Sequence, residues 1–182
     1  KTSLLSIGAI DFAHPENQFY EECRIWEGAE IEQAALEING FTRERITNQI
    51  KTQKEVIGSF LKWIENCEEH TFAGENPSFD RDFIIATAKR EKCSWNAIYR
   101  TVDLHTIGYT HMLKRGVLPL KNKRTDVKLD TILVYAGLPE ETKPHNALTG
   151  AKMEAEAFSR LLFGKNLLQE FAHYSIPEFL QK

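Results

Sequence analysis

A histidine that leads a small-residue helix is the clearest candidate for chemistry in this sequence. Apolar residues at positions 148, 151, 155, 158 and 162 recur at steps of three and four after His145, which predicts a helix over about 146–163 with these positions on the core. Position 150 and Glu154 then lie beside that face, with Glu156 on its other flank, so His145, position 150 and Glu154 can point into one cleft. Histidine changes protonation near neutral pH, which suits a general base. An isolated histidine at a helix entry also serves as a surface or capping residue.

A second polar cluster, Asn76-Pro77-Ser78-Phe79-Asp80, lies where a short strand is predicted to pass into a helix. Ligands of α/β folds gather at the carboxyl ends of strands. Asp80 in the first helical turn either stabilises that helix end through the macrodipole or offers a hard carboxylate oxygen to a divalent cation. The pattern alone leaves both roles open.

The remaining patterns predict one α/β domain with a mixed β-sheet flanked by helices. Apolar and β-branched runs indicate strands over 3–12, 18–26, 70–74 and 97–104, the first two forming an antiparallel hairpin. Helical spacing indicates helices over 30–38, 52–67, 79–92, 105–114 and 127–136, with Thr42 a candidate N-cap between the first two.

The domain is expected to span residues 1–182, with its core ending at about 163 and a tail over 164–182. The aromatic residues of that tail either dock on the domain or form a homodimer contact. Lysine and arginine residues around the predicted loop 116–124 form a solvated loop or a rim that contacts phosphates.

Composition excludes several classes of protein. The net charge of −3 gives no basic field for coating nucleic acid, but it does not oppose an enzyme that neutralises phosphates with metal ions. The three cysteines, Cys23, Cys67 and Cys93, form no CxxC pair, which predicts a reduced cytoplasmic protein without disulfides or a zinc site. No apolar run approaches the ~20 residues of a membrane span.

Several segments together resemble the DEDDh 3′–5′ exonucleases, the DnaQ-like branch of the ribonuclease-H-like fold. The resemblance covers nearly the whole chain to about Phe163, and the order and spacing of its segments are specific. The segments are Ile7-Gly8-Ala9-Ile10 (similar to the family's second strand), Asn76-x-x-Phe79-Asp80-x-x-Phe83 (its second motif), Leu129-Asp130-x-x-Leu133-x-x-x-Gly137-Leu138 (the helix and loop before its last motif), and His145-x-Ala147-Leu148 with Ala151 (its last motif).

The resemblance implies a metal-dependent 3′–5′ exonuclease that removes nucleotides from the 3′ ends of single-stranded DNA or RNA. In that family four acids hold two divalent cations, Mg²⁺ or Mn²⁺. Carried over, His145 is the general base and Asp80 is a metal-site acid. Asn76 and Phe79 are expected to contact the terminal nucleotide.

Two departures from the family pattern qualify this expectation. The family's Asp-x-Glu motif, on the first and central strand, should precede Ile7 but is absent from residues 1–182, so we expect that strand upstream or from another chain. Position 150, five residues after His145, is glycine where the family has aspartate, and Glu154 is expected to reach the same place. Both departures favour an alternative, a catalytically inactive exonuclease-like module that binds nucleic acid ends or a protein partner. The retained His145 favours the enzyme.

Overall fold

The strands form three separate pairs in the computed structural model, which describes residues 3–95 and 100–181. The pairs are the antiparallel hairpin β1 (Ser6–Ile10) and β2 (Gln18–Glu22), the parallel pair β3 (Phe72–Gly74) and β4 (Thr101–Asp103), and the small hairpin β5 (Leu120–Lys121) and β6 (Arg124–Thr125). Parallel and antiparallel pairing are both present, as expected. Within the described ranges, however, they form three two-stranded sheets instead of one mixed sheet.

Seven α-helices and two short 3₁₀ turns are present among the described residues. They are α1 (Gln33–Ile38), α2 (Arg43–Thr47), α3 (Gln53–Ile64), α4 (Pro77–Arg90), α5 (Leu104–Lys114), α6 (Leu129–Tyr135) and α7 (Ala147–Phe163), followed by the turns Gln169–Phe171 and Glu178–Leu180. Helix α4 begins earlier than predicted because Pro77 fits the first turn of a helix. The predicted loop 116–124 contains β5 and the start of β6. Positions 97–99 of the predicted strand 97–104 lie outside the described residues.

Polar side chains begin the helices that frame the cavity described below. Thr52 and Glu55 form a reciprocal capping box at the start of α3. The Asn146 side chain accepts hydrogen bonds from the backbone N–H groups of Leu148 and Thr149, which begins α7 directly after His145. Thr42 caps α2, as the sequence predicts.

Two hydrophobic clusters form the core. One joins β1 and β2 to α3 and α4 around Val56, Ile57 and Phe60, which are fully buried on one face of α3. The other joins α5, α6 and α7 to the C-terminal tail. The tail's aromatic residues Phe171, Tyr174 and Phe179 pack against this second cluster, so the tail docks on its own chain.

Residues 155–161 of α7 are buried around the whole circumference of the helix, because the docked tail covers its outer side. Glu156, predicted to lie on a flank of the core face, is instead fully buried in an ion pair with Arg160, with 2.8 Å between Oε1 and Nε. Two tail amides donate to Glu156, while Arg160 donates to backbone carbonyls of the α6 end and the tail. The expected core residue Leu162 is half exposed instead. No helix among the described residues is long and apolar enough to cross a membrane.

Helix α7 crosses β1 at Gly8 with almost no space between their backbones. A Cβ atom on Gly8 would overlap the carbonyl carbon of Ala147 and the amide nitrogen of Leu148. These atoms belong to the first turn of α7, which follows His145 directly. The missing side chain of Gly8 therefore sets how closely the start of α7 lies against the strand.

We expect Gly8→Ala to lower the free energy of unfolding by about 3 kcal/mol, because the new methyl group meets backbone that cannot move aside. The matched control is Gly58→Ala in α3, where a Cβ meets nothing within 4 Å. Alanine at that helical position should stabilise the protein by up to about 1 kcal/mol. Urea denaturation of both variants measures the difference. Equal effects of the two changes would show that the crossing at Gly8 tolerates a side chain.

Candidate active site

A groove of about 1120 Å³ lies between β1 and β3. Residues of α3 and of the N-terminal half of α7 form further parts of its wall. Among the described residues, β1 pairs with β2 alone and β3 with β4 alone. Each of the two strands therefore has one edge without a strand partner, and the groove runs between them.

His145 lines the groove at the start of α7 and is held from two sides. Its backbone N–H donates to the Ile38 carbonyl at the end of α1, at 2.9 Å. Its side-chain Nδ1 lies 2.6 Å from Oε2 of Glu141, and the two side chains are 30% and 10% exposed. Within residues 3–95 and 100–181, Nε2 has no hydrogen-bond partner. The ring is therefore fixed through Nδ1, which leaves Nε2 available for a proton.

Glu154 lines the same groove, one helical turn after Gly150. Its Oε2 accepts a hydrogen bond from the backbone N–H of Glu75 at 2.9 Å. Burial raises the pKa of Glu154 to about 8, and the nearby charges of Asp80, Glu75 and Glu141 add to the increase. The carboxyl group is thus held where its negative charge is unfavourable.

The turn from β3 into α4 brings the second predicted cluster to the rim. Partial desolvation there, together with the nearby Glu75, raises the pKa of Asp80. Phe79 is 64% exposed although it is aromatic, and it lines the groove beside Phe83. Asn76 adopts a left-handed conformation with φ of 53° and donates its backbone N–H to Asp103, so it shapes the turn. Unlike Phe79 and Asp80, Asn76 is not part of the groove wall.

The acidic side chains Asp80, Glu141 and Glu154 line the groove, and the charges of Asp80 and Glu141 are close enough to raise the pKa of Glu154. In the described part of the chain, the only lysine or arginine in the wall is Arg45, and this residue already forms an ion pair with Glu22. An acidic site without a free compensating cation is suited to binding one. No three histidine, cysteine or acidic side chains of the described residues converge closely enough to hold a metal ion by themselves. The described residues of the groove therefore do not form a complete set of metal ligands.

The structure thus brings four of the five predicted site residues to one groove: Phe79, Asp80, His145 and Glu154. Two further residues of the site carry no sequence signal that identified them: Glu141, which contacts His145, and Glu75, whose backbone N–H donates to Glu154. Glu141 lies four residues before His145, but the segment between them is irregular. No periodicity there indicates which way a side chain points.

Comparison with known proteins points to a distant relationship with nucleases. The chain is 23% identical to Ribonuclease T of Histophilus somni (strain 129Pt) over 189 aligned positions, covering 96% of this chain and 82% of the relative. It is also 23% identical to Ribonuclease T of Hahella chejuensis (strain KCTC 2396) over 171 positions, covering 87% of this chain and 72% of the relative. No family model matches the chain. At this identity the matches support similarity to a nuclease.

The raised pKa of Glu154 predicts a pH dependence of stability. The folded pKa of about 8 lies above the ordinary 4.5 of glutamate, so the folded protein keeps a proton that the unfolded chain releases. Stability contributed by this proton is complete below about 4.5 and is lost as the pH rises to about 8. The free energy of unfolding should fall by on the order of 1 kcal/mol per pH unit across this window.

Glu154→Gln should remove this fall, since glutamine mimics the protonated acid. Urea denaturation between pH 5 and pH 8, in buffer with EDTA, measures the slopes of both proteins. The exposed Glu65→Gln is the control and should retain the slope of the natural protein. Parallel slopes for the natural protein and Glu154→Gln would contradict the raised pKa.

Proposed function

We propose that this protein is a metal-dependent 3′–5′ exonuclease that hydrolyses nucleotides from the 3′ ends of single-stranded DNA or RNA. The observation that carries the proposal is the meeting of His145, Asp80 and Glu154 in one acidic groove. Asp80 lies far from His145 and Glu154 in the sequence, and the resemblance to DEDDh exonucleases implies that all three belong to a single site. The similarity to two proteins named Ribonuclease T supports the same class of reaction.

Asp80 and Glu154 are the residues that would hold divalent cations, Mg²⁺ or Mn²⁺, through carboxylate oxygens. Bound cations would activate water and stabilise the leaving oxygen. They would also offset the negative charges that raise the pKa of Glu154. Two carboxylates are fewer than the four of the family, so further acids are needed to complete a two-metal site.

His145 is the general base of the proposed reaction. Its Nδ1 contacts Glu141, so Nε2 accepts the proton of the attacking water. The water oxygen bonds to the phosphorus of the terminal phosphodiester, and the bond from phosphorus to the 3′ oxygen of the preceding nucleotide breaks. That oxygen takes up a proton. The products are a nucleoside 5′-monophosphate and a strand shortened by one nucleotide with a free 3′ hydroxyl group.

Phe79 is the proposed contact for the terminal base. Its ring is largely exposed and lines the groove, as does the next residue, Asp80. An exposed aromatic ring stacks on any base, which favours binding of unpaired ends over duplex. Asn76 would assist from the neighbouring turn, where its backbone is fixed by Asp103.

A further strand between β1 and β3 would join the hairpin and the parallel pair into one ribonuclease-H-like sheet. The groove separates the two unpaired edges, and mainly aromatic and aliphatic residues of α3 and α7 form its inner wall. Backbone groups at such edges form hydrogen bonds with an added strand. The Asp-x-Glu acids of the family would lie on this strand, whether this chain or another supplies it.

The nuclease proposal predicts stepwise shortening of end-labelled single-stranded DNA or RNA from the 3′ end by the natural protein. Shortening should require Mg²⁺ or Mn²⁺ and stop with EDTA. His145→Ala should lower kcat by about 10²–10⁴-fold, the usual contribution of a general base. Glu154→Ala should abolish the metal-dependent rate, and full activity of this variant would disprove its role as a ligand.

The same assay separates the two candidate functions. Tight binding of labelled ends without shortening, in the natural protein, would support the inactive module and contradict the nuclease.

Phe79→Ala should raise KM and leave kcat nearly unchanged, because stacking on a base contributes about 1–3 kcal/mol to binding. Ile50→Ala is the matched control, since Ile50 is 91% exposed and lies outside the groove wall.

The proposed central strand predicts slow hydrogen exchange on both edges of the groove. Backbone amides of β1 that point away from β2, and those of β3 that point away from β4, should be protected in the natural protein. The control is the set of backbone amides of the exposed β5–β6 hairpin, which should exchange fast. Fast exchange at the groove edges of β1 and β3 would show that no strand lies between them.

A further inference from the structure

The Glu141 carboxylate occupies the space above Gly150. A Cβ atom placed on Gly150 would lie 3.2 Å from Oε1 of Glu141, closer than ordinary van der Waals contact. The other oxygen, Oε2, lies 2.6 Å from Nδ1 of His145. One carboxylate thus lies beside both the histidine and the position where the resembling family has its last acid.

The position of Glu141 is fixed by the surrounding structure. Its backbone N–H donates to Oδ1 of Asp130 in the first turn of α6, at 3.1 Å. Its side chain is only 10% exposed and lines the same groove as His145 and Glu154. A carboxylate that lay on the surface by chance would have neither the backbone anchor nor the burial.

We propose that Glu141 positions His145 for catalysis, and that position 150 is glycine because the Glu141 carboxylate needs the space. The inference rests on the proposed function, in which His145 is the general base. A carboxylate that accepts a hydrogen bond from Nδ1–H fixes both the tautomer and the orientation of an imidazole ring. Nε2 is then the unprotonated nitrogen of a side chain that lines the groove. Glu141 acts through His145 and is a positioning residue.

The ¹⁵N NMR signals of the His145 ring test this role without any turnover. In the natural protein the neutral ring should be protonated at Nδ1. Glu141→Ala should shift it towards the tautomer protonated at Nε2, whereas Glu141→Gln keeps a side-chain oxygen and should largely retain the Nδ1–H form. Glu140→Ala changes the neighbouring exposed glutamate and should leave the signals unchanged. An unchanged tautomer in Glu141→Ala overturns the proposal.

Kinetics in the nuclease assay provide the second measurement. Glu141→Ala should lower kcat by about 10²-fold with little change in KM, since the base is misplaced but the substrate contacts remain. Glu141→Gln should recover part of this loss, and Glu140→Ala should show the natural rate. A loss that appears in KM alone, or an unchanged kcat in Glu141→Ala, contradicts a positioning role.

Gly150→Ala tests the space above the glycine. The new methyl group forces the Glu141 carboxylate to move by a few tenths of an ångström. Alanine also favours the helix, so the midpoint of thermal unfolding should rise by about 2 °C while kcat falls several-fold. If kcat and the His145 tautomer are both unchanged in Gly150→Ala, the space needed by the Glu141 carboxylate is not the reason that position 150 is glycine. If the natural protein lacks nuclease activity but its tautomer still depends on Glu141, the positioning stands and the proposed function fails.

Discussion

The close crossing of α7 over β1 at Gly8 is the constraint on which the candidate site depends. Because the strand has no side chain there, the first turn of the helix lies directly on its backbone. That contact fixes the start of α7, which directly follows His145. It thereby also fixes the positions of Gly150 and Glu154, which lie about one and two turns further along the helix. At its other end α7 is held by the buried Glu156–Arg160 pair and the docked tail. The helix is therefore rigidly placed along its whole length, as a site built from its side chains requires.

The groove combines burial with negative charge, and this combination is costly for the folded protein. Glu154 is held by the Glu75 amide in a place where Asp80, Glu75 and Glu141 all disfavour its ionised form. A core selected for stability alone would have a neutral side chain there. Arg45, the only basic residue of the described wall with a permanent charge, is paired with Glu22 and does not relieve the acids. An unrelieved group of acids is understandable if a cation is its usual partner.

Local patterns predicted the elements, and long-range contacts decided the site. The helices α3 and α7 and the β1–β2 hairpin were predicted because periodicity, caps and turns are encoded by neighbouring residues. The single mixed sheet was not found among the described residues because β1 and β3 meet only across a groove. Glu156 was placed wrongly because its burial comes from a tail that follows later in the chain. Glu141 was missed because Pro139 and Pro144 bracket an irregular loop without periodicity.

Gly150 is the residue that most directly separates an enzyme from a degenerate relative, and its surroundings favour the enzyme. Chance loss of an acid from a disused site would leave empty space or an apolar side chain, since nothing would select a new charge there. The space instead holds a carboxylate that is largely buried, anchored by Asp130 and in contact with His145. Burying that charge costs free energy unless it has a partner, and its partner is the proposed base. The glycine at position 150 is therefore better explained by the space that the Glu141 carboxylate occupies than by loss of the site.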